Sequence, residues 1–130
     1  MIEFHLDTHS GLSPYLQIVQ QVQRALRLGL LAEGDQLPTV REVVSRLAIN
    51  PNTVLKAYRE LEHLGLAAPR AGIGTFVTRS FSDASPAVLR PLRIDLQRWL
   101  AKARRAGLDD ESVEALVWDT LHASEVEVVA

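Results

Sequence analysis

A chain of 130 residues with a formal net charge of −2 and no cysteine suits one domain, or a small domain with an appendage. Lacking cysteine, it has no disulfide, cysteine-ligated zinc or thiol nucleophile, and a cytoplasmic location is expected. No stretch approaches the roughly 20 apolar residues that span a bilayer, and no basic residue precedes Arg24, so neither a membrane partner nor a secretory signal is expected.

The charge is uneven. Residues 1–35 carry two basic and four acidic side chains, residues 36–79 six and three, and residues 80–130 six and nine. The middle third is a positive island in an acidic chain, placed where a phosphate-facing surface would be.

Met1–Asp7 alternates, with Ile2, Phe4 and Leu6 opposite Glu3, His5 and Asp7, and reads as a short strand or extended arm. Ser13-Pro14 starts a helix that the stripe Tyr15, Ile18, Val22, Ala25/Leu26 and Leu30 carries to about Leu30. Thr39 and Glu42 form a capping-box pattern for a second helix over Val40–Leu47, with Val43, Val44 and Leu47 inward. Asn50-Pro51 opens a third helix that buries Val54, Ala57/Tyr58, Leu61 and Leu64 and stops at Gly65.

Leu66–Arg70 and Gly74–Thr78 read as two strands of a hairpin turned through Ala71–Gly74. Arg79–Pro86 has the composition of a linker. A fourth helix, about Val88–Ala106, carries the stripe Leu89, Leu92, Leu96, Trp99, Ala103 and Ala106, with Pro91 in its first turn. Asp109 caps a fifth, whose stripe is Val113, Leu116/Val117 and Leu121, and Glu125–Ala130 is expected to fray.

Two short helices joined by a four-residue turn form a helix-turn-helix, and the hairpin that follows makes it winged. The expected fold is mainly α with a small β-hairpin wing. It comprises a winged helix-turn-helix (1–79), a linker (80–87), a two-helix dimerisation region (88–124) and a frayed tail (125–130). The third helix would enter the major groove by its N-terminal residues Asn50, Asn52, Thr53 and Lys56. Asparagine pairs with adenine, threonine meets a thymine methyl or a phosphate, and lysine meets guanine or phosphate.

Several motifs resemble the GntR family of winged-helix repressors, in particular its YtrA subfamily. They are Tyr15-x-Gln17-Ile18, Gly34-Asp35-x-Leu37-Pro38-x-x-Arg41-Glu42, Asn50-x-x-Thr53-Val54-x-Lys56-Ala57-Tyr58, Leu61-Glu62-x-x-Gly65 and Gly72-x-Gly74-Thr75-Phe76-Val77. The resemblance implies DNA contacts from Arg41, from Asn50, Asn52 and Thr53, and from Gly72 beside Arg70. Thr39, Lys56, Arg59 and Gly74 complete the expected set. Pro51 and Leu55 stand where many relatives carry arginine, so base readout falls to Asn52 and Lys56.

Other readings compete. Arg41 would serve as a solvated partner of Glu42, Asn50 has a sufficient task as a cap, and Tyr58 fits a core position with its hydroxyl at the rim. His5, Asp7 and His9 share one face of an extended arm and would suit a metal-responsive regulator. A winged helix devoted to protein–protein contact is the other alternative. No nucleophile elbow or phosphate-binding loop is present, so neither catalysis nor a cofactor is expected.

The expected product is a homodimeric regulator, a repressor on a palindromic double-stranded operator. The subunits would join through Leu89, Leu92, Leu96, Trp99, Ala103, Val113, Leu116, Val117 and Leu121. An unidentified small-molecule effector is a further possible partner, and the acidic tail would repel DNA.

Overall fold

The computed structural model describes residues 1–81 and 85–129, with side chains through Ala123. Its elements are α1 (Pro14–Arg27), α2 (Val40–Leu47), α3 (Pro51–His63), β1 (Ala67–Arg70), β2 (Gly74–Val77), α4 (Pro86–Arg105) and α5 (Asp110–Val129). They fall into two compact units that divide after Pro86.

In the first unit α3 packs against α1, α2 and β1. Ile18, Val22, Leu26, Leu37, Val54, Leu61 and Val77 are fully buried between them. The N-terminal arm keeps its expected alternation, with Phe4 buried and Ile2 and Leu6 packed against the core. Side-chain amides hold it in place of a neighbouring strand. Gln21 pairs with the His5 backbone N–H and C=O at 2.9 and 2.6 Å. Gln17 accepts from the Asp7 N–H at 2.8 Å and donates to the Asp7 and Leu12 carbonyls at 3.0 and 2.9 Å. Four residues apart, the two amides lie on one face of α1.

α1 ends at Arg27, one turn before the stripe predicts. Gly29 takes a positive φ of 72°, its N–H bonds to the Leu26 carbonyl, and the Leu30 N–H reaches Ala25. This Schellman closure redirects the chain, so Leu31 is buried where Leu30 was expected and Leu30 is 64% exposed. Gly65 closes α3 the same way, which leaves Leu64 exposed at the rim.

β1 and β2 pair antiparallel from Ala67↔Val77 to Arg70↔Gly74. The segment before α2 adds to the ladder. Gly34 and Leu37 donate to Val77 and Thr75, and Val77 donates to Asp35, all at 2.8–2.9 Å. The wing is thereby tied to the entrance of the helix-turn-helix.

In the second unit α4 begins at Pro86, earlier than expected. Pro91 therefore lies in the second turn, where its missing N–H removes one helix bond. The expected linker overlaps this start, and its residues 82–84 lie outside the described residues. Gly107 closes α4 through bonds from Gly107 to Arg104 and from Leu108 to Ala103. The Asp109 carboxylate accepts from the Ser112 N–H at 2.8 Å and caps α5; this bond, and with it the Ser112 side chain, holds its carboxyl below the usual range. The α5 backbone is helical to Val129, which takes in residues 125–129 of the expected tail.

Candidate nucleic-acid interface

The two helix starts are built by their own side chains. Thr39 Oγ1 accepts from the Glu42 N–H at 3.1 Å and opens α2. Arg41 follows in the first turn, exposed, with no ion pair or hydrogen bond among the described residues. Asn50 Oδ1 accepts from the Asn52 N–H at 2.8 Å and opens α3, so its side chain is engaged as a cap. The Asn52 side chain is exposed and Thr53 is half-buried.

Along α3, Val54, Ala57, Tyr58 and Leu61 face the core, while Asn52, Lys56 and Arg59 follow at steps of four and three on the exposed side. Lys56 leans back so that its ammonium lies 4.1 Å from the Tyr15 ring centroid. Tyr58 donates from its hydroxyl to the Pro38 carbonyl and locks α3 to the chain entering α2. Burial drives its phenol well above the ordinary value, and the Glu42 carboxylate pushes the same way.

The turn between α2 and α3 rests on Ala48, which adopts left-handed φ 53°, ψ 46°. Among the described residues it is the only non-glycine at positive φ.

On the wing, Arg70 spreads over Phe76 at 4.2 Å. Gly72 is exposed at φ 75° with open space around its missing side chain, whereas Gly74, at φ 144°, is half-buried. A Cβ there would lie 2.6 Å from Gln36 Nε2, the group that donates to the Ile73 carbonyl at 3.2 Å. Gln36 therefore steadies the wing tip. It lies outside any periodic element, so no pattern in the sequence marks it. Ile73 stands 62% exposed at that tip, an apolar residue in a turn that normally takes polar ones.

His5, Asp7 and His9 do not form a metal site. Among the described residues no group of three histidine or carboxylate side chains is placed to hold an ion, and the Asp7 carboxylate accepts instead from the His9 N–H at 2.9 Å. The arm is also tied to α2 by an exposed Arg46–Glu3 ion pair at 2.9 Å.

The residues expected at a subunit interface behave differently from the core. Ala103 and Val113 are buried beside the α4–α5 turn, and Leu89 and Trp99 are half-buried. Leu92, Leu96, Leu116, Val117 and Leu121 remain 40–63% exposed. Trp118, also exposed, stacks on His122 with ring centroids 3.8 Å apart. No helix among the described residues is long and apolar enough to cross a membrane.

The family model for bacterial regulatory proteins of the gntR family matches residues 14–77, from the start of α1 to the end of the wing. The HTH-type transcriptional repressor YtrA of Bacillus subtilis is 32% identical over 109 residues, 83% of this chain and 84% of that protein. A transcriptional antiterminator from Listeria monocytogenes superposes with a TM-score of 0.59 at 34% identity, over 92% of this chain and 90% of that one. YtrA from Sulfolobus acidocaldarius, a GntR-family transcription factor, gives 0.54 at 33% identity, over 75% and 97%. The matched residues coincide with the helix-turn-helix and wing, and the chain belongs to the GntR family of DNA-binding, non-enzymatic transcriptional regulators.

Proposed function

We propose that this chain is a cytoplasmic, sequence-specific repressor that binds a palindromic operator as a homodimer. The observation that carries the reading is the outward surface of the helix-turn-helix and wing. Arg41, Asn52, Lys56, Arg59, Arg70 and Gly72 are all exposed there, while the opposite faces of the same helices build the core. Arg41, with no ion pair or hydrogen bond among the described residues, meets a phosphate or a guanine edge. Asn52 reads base edges, Lys56 leaves Tyr15 for the duplex, and Thr39 and Asn50 aim backbone N–H groups at phosphates while they cap. Thr53 and Arg59 meet the backbone, and Gly72, with Gly74 and Arg70 beside it, lets the wing approach closely.

Dimerisation is supported by the exposed stripes of α4 and α5 and by their charges. Residues 86–105 carry six basic side chains and one acidic; residues 109–129 carry seven acidic and no lysine or arginine. The tail is therefore two oppositely charged helices rather than a uniformly acidic, DNA-repelling element. In our reading, α4 of one protomer lies along α5 of its partner, and the pair sets two recognition helices about 34–36 Å apart. A small-molecule effector that adjusts this spacing is compatible with the same arrangement.

Titration of an operator duplex at moderate salt tests the contact. Arg41→Ala should weaken binding by about five- to 150-fold, equivalent to about 1–3 kcal/mol, with the oligomeric state intact. Unchanged affinity would remove Arg41 from the interface.

A further inference from the structure

Arg24 and Arg27 of α1, Leu64 and Leu66 at the end of α3, and Arg79 and Phe81 beyond the wing line an open groove of about 590 Å³. None of its lining residues is acidic. Among the described residues, none of the three guanidinium groups has a carboxylate partner. Arg24 reaches only the Gln20 amide at 3.4 Å, and Arg79 rests on the Phe81 ring at 4.7 Å. The groove also keeps apolar surface in water, with Leu64 42% and Phe81 44% exposed. It lies at the C-terminal end of α3, whose 13 residues separate it by about 20 Å from the turn that carries Asn52.

We propose that this groove binds an amphipathic organic anion, its phosphate or carboxylate head held by Arg24, Arg27 and Arg79 and its apolar body laid over Leu64, Leu66 and Phe81. Arginine's planar fork matches either head group, and the volume falls within the range of small-molecule sites. An inorganic anion would leave the apolar surface uncovered, and a neutral apolar molecule would cover three charges without compensation. Arg79 and Phe81 follow β2, which ends at Val77, on the stretch of chain that leads to α4. A bound anion would thus hold the chain where it leaves the winged helix, so the site is placed to act on the second unit without touching the DNA-facing surface.

The test uses the full chain, calorimetry and backbone-amide NMR, with four probes: decyl phosphate, decanoate, decanol and inorganic phosphate. Saturable binding of decyl phosphate or decanoate is expected, with shifts centred on Arg24–Arg27 and Leu64–Leu66. The head group that binds more tightly distinguishes a phosphate from a carboxylate ligand. Decanol and inorganic phosphate should bind at least tenfold more weakly. Arg27→Gln with Arg79→Gln should lower affinity at least tenfold at an unchanged melting temperature, and Phe81→Ala supplies a second variant that leaves the charges in place. Absence of binding by both amphipathic anions, equal binding of decanol, shifts located elsewhere, or affinity unchanged in both variants would each overturn the proposal.

Discussion

At the residue scale, three residues carry more than their positions in the sequence suggest. Tyr58 is buried with its hydroxyl bonded to Pro38, and its phenol titrates well above the ordinary value of about 10 because burial and Glu42 disfavour the anion. The stability this represents is fully present below about pH 10. It is lost above, because the unfolded phenol then releases its proton while the folded one retains it. Tyr58→Phe should cost about 1 kcal/mol at neutral pH. The melting curves of the two proteins should converge as pH rises past 10, whereas a constant gap would contradict the assignment. Gly74 takes a φ of 144° that other residues rarely adopt. Gly74→Ala should destabilise by about 1–3 kcal/mol in urea titration. Adding Gln36→Ala should recover little of it, because the strain is in the backbone and the glutamine tip can move aside. Gln17, buried against the arm, enters the sequence reading only as part of the motif Tyr15-x-Gln17-Ile18; its bonds to Asp7 and Leu12 explain why a polar side chain belongs there.

At the scale of elements, boundaries were legible wherever a local cap sets them. Thr39, Asn50 and Asp109 each accept a backbone N–H from the first turn of their helix, and Gly65 and Gly107 stop α3 and α4 as expected. The early end of α1 has the same local origin, since Gly29 closes the helix before the apolar period runs out. α2 is the exception among the closures, because Ala48 occupies the left-handed position that glycine takes in α1, α3 and α4. Ala48→Gly should therefore raise stability by about 1 kcal/mol, read as a higher melting temperature at unchanged operator affinity. A lower melting temperature would show that the turn gains more from alanine's restricted unfolded state than it loses to strain.

At the scale of the molecule, the net charge of −2 concealed two separate asymmetries. One is the positive island of the helix-turn-helix and wing; the other is the opposition of α4 and α5. Removing residues 87–130 should give a monomer by sedimentation, and a truncated chain that remains dimeric would overturn the proposed interface. If α4 meets α5 across that interface, raising salt from about 0.05 to 1 M should weaken self-association, since exposed opposite charges are screened; a dimerisation constant insensitive to salt would require a purely apolar seam. The sequence alone was sufficient for the family, the order of elements, the capped helix starts and the exposed face of α3, because these depend on residues within a few positions of one another. Only the tertiary structure decided that the Gln17 and Gln21 amides hold the arm, that Gln36 occupies the space beside Gly74, that Lys56 rests on Tyr15 and that His5, Asp7 and His9 do not converge. It also assembled the arginine-lined groove from three separate parts of the chain. Most of these contacts join residues far apart in sequence, so no local spacing encodes them; they exist only after the core has brought the elements together.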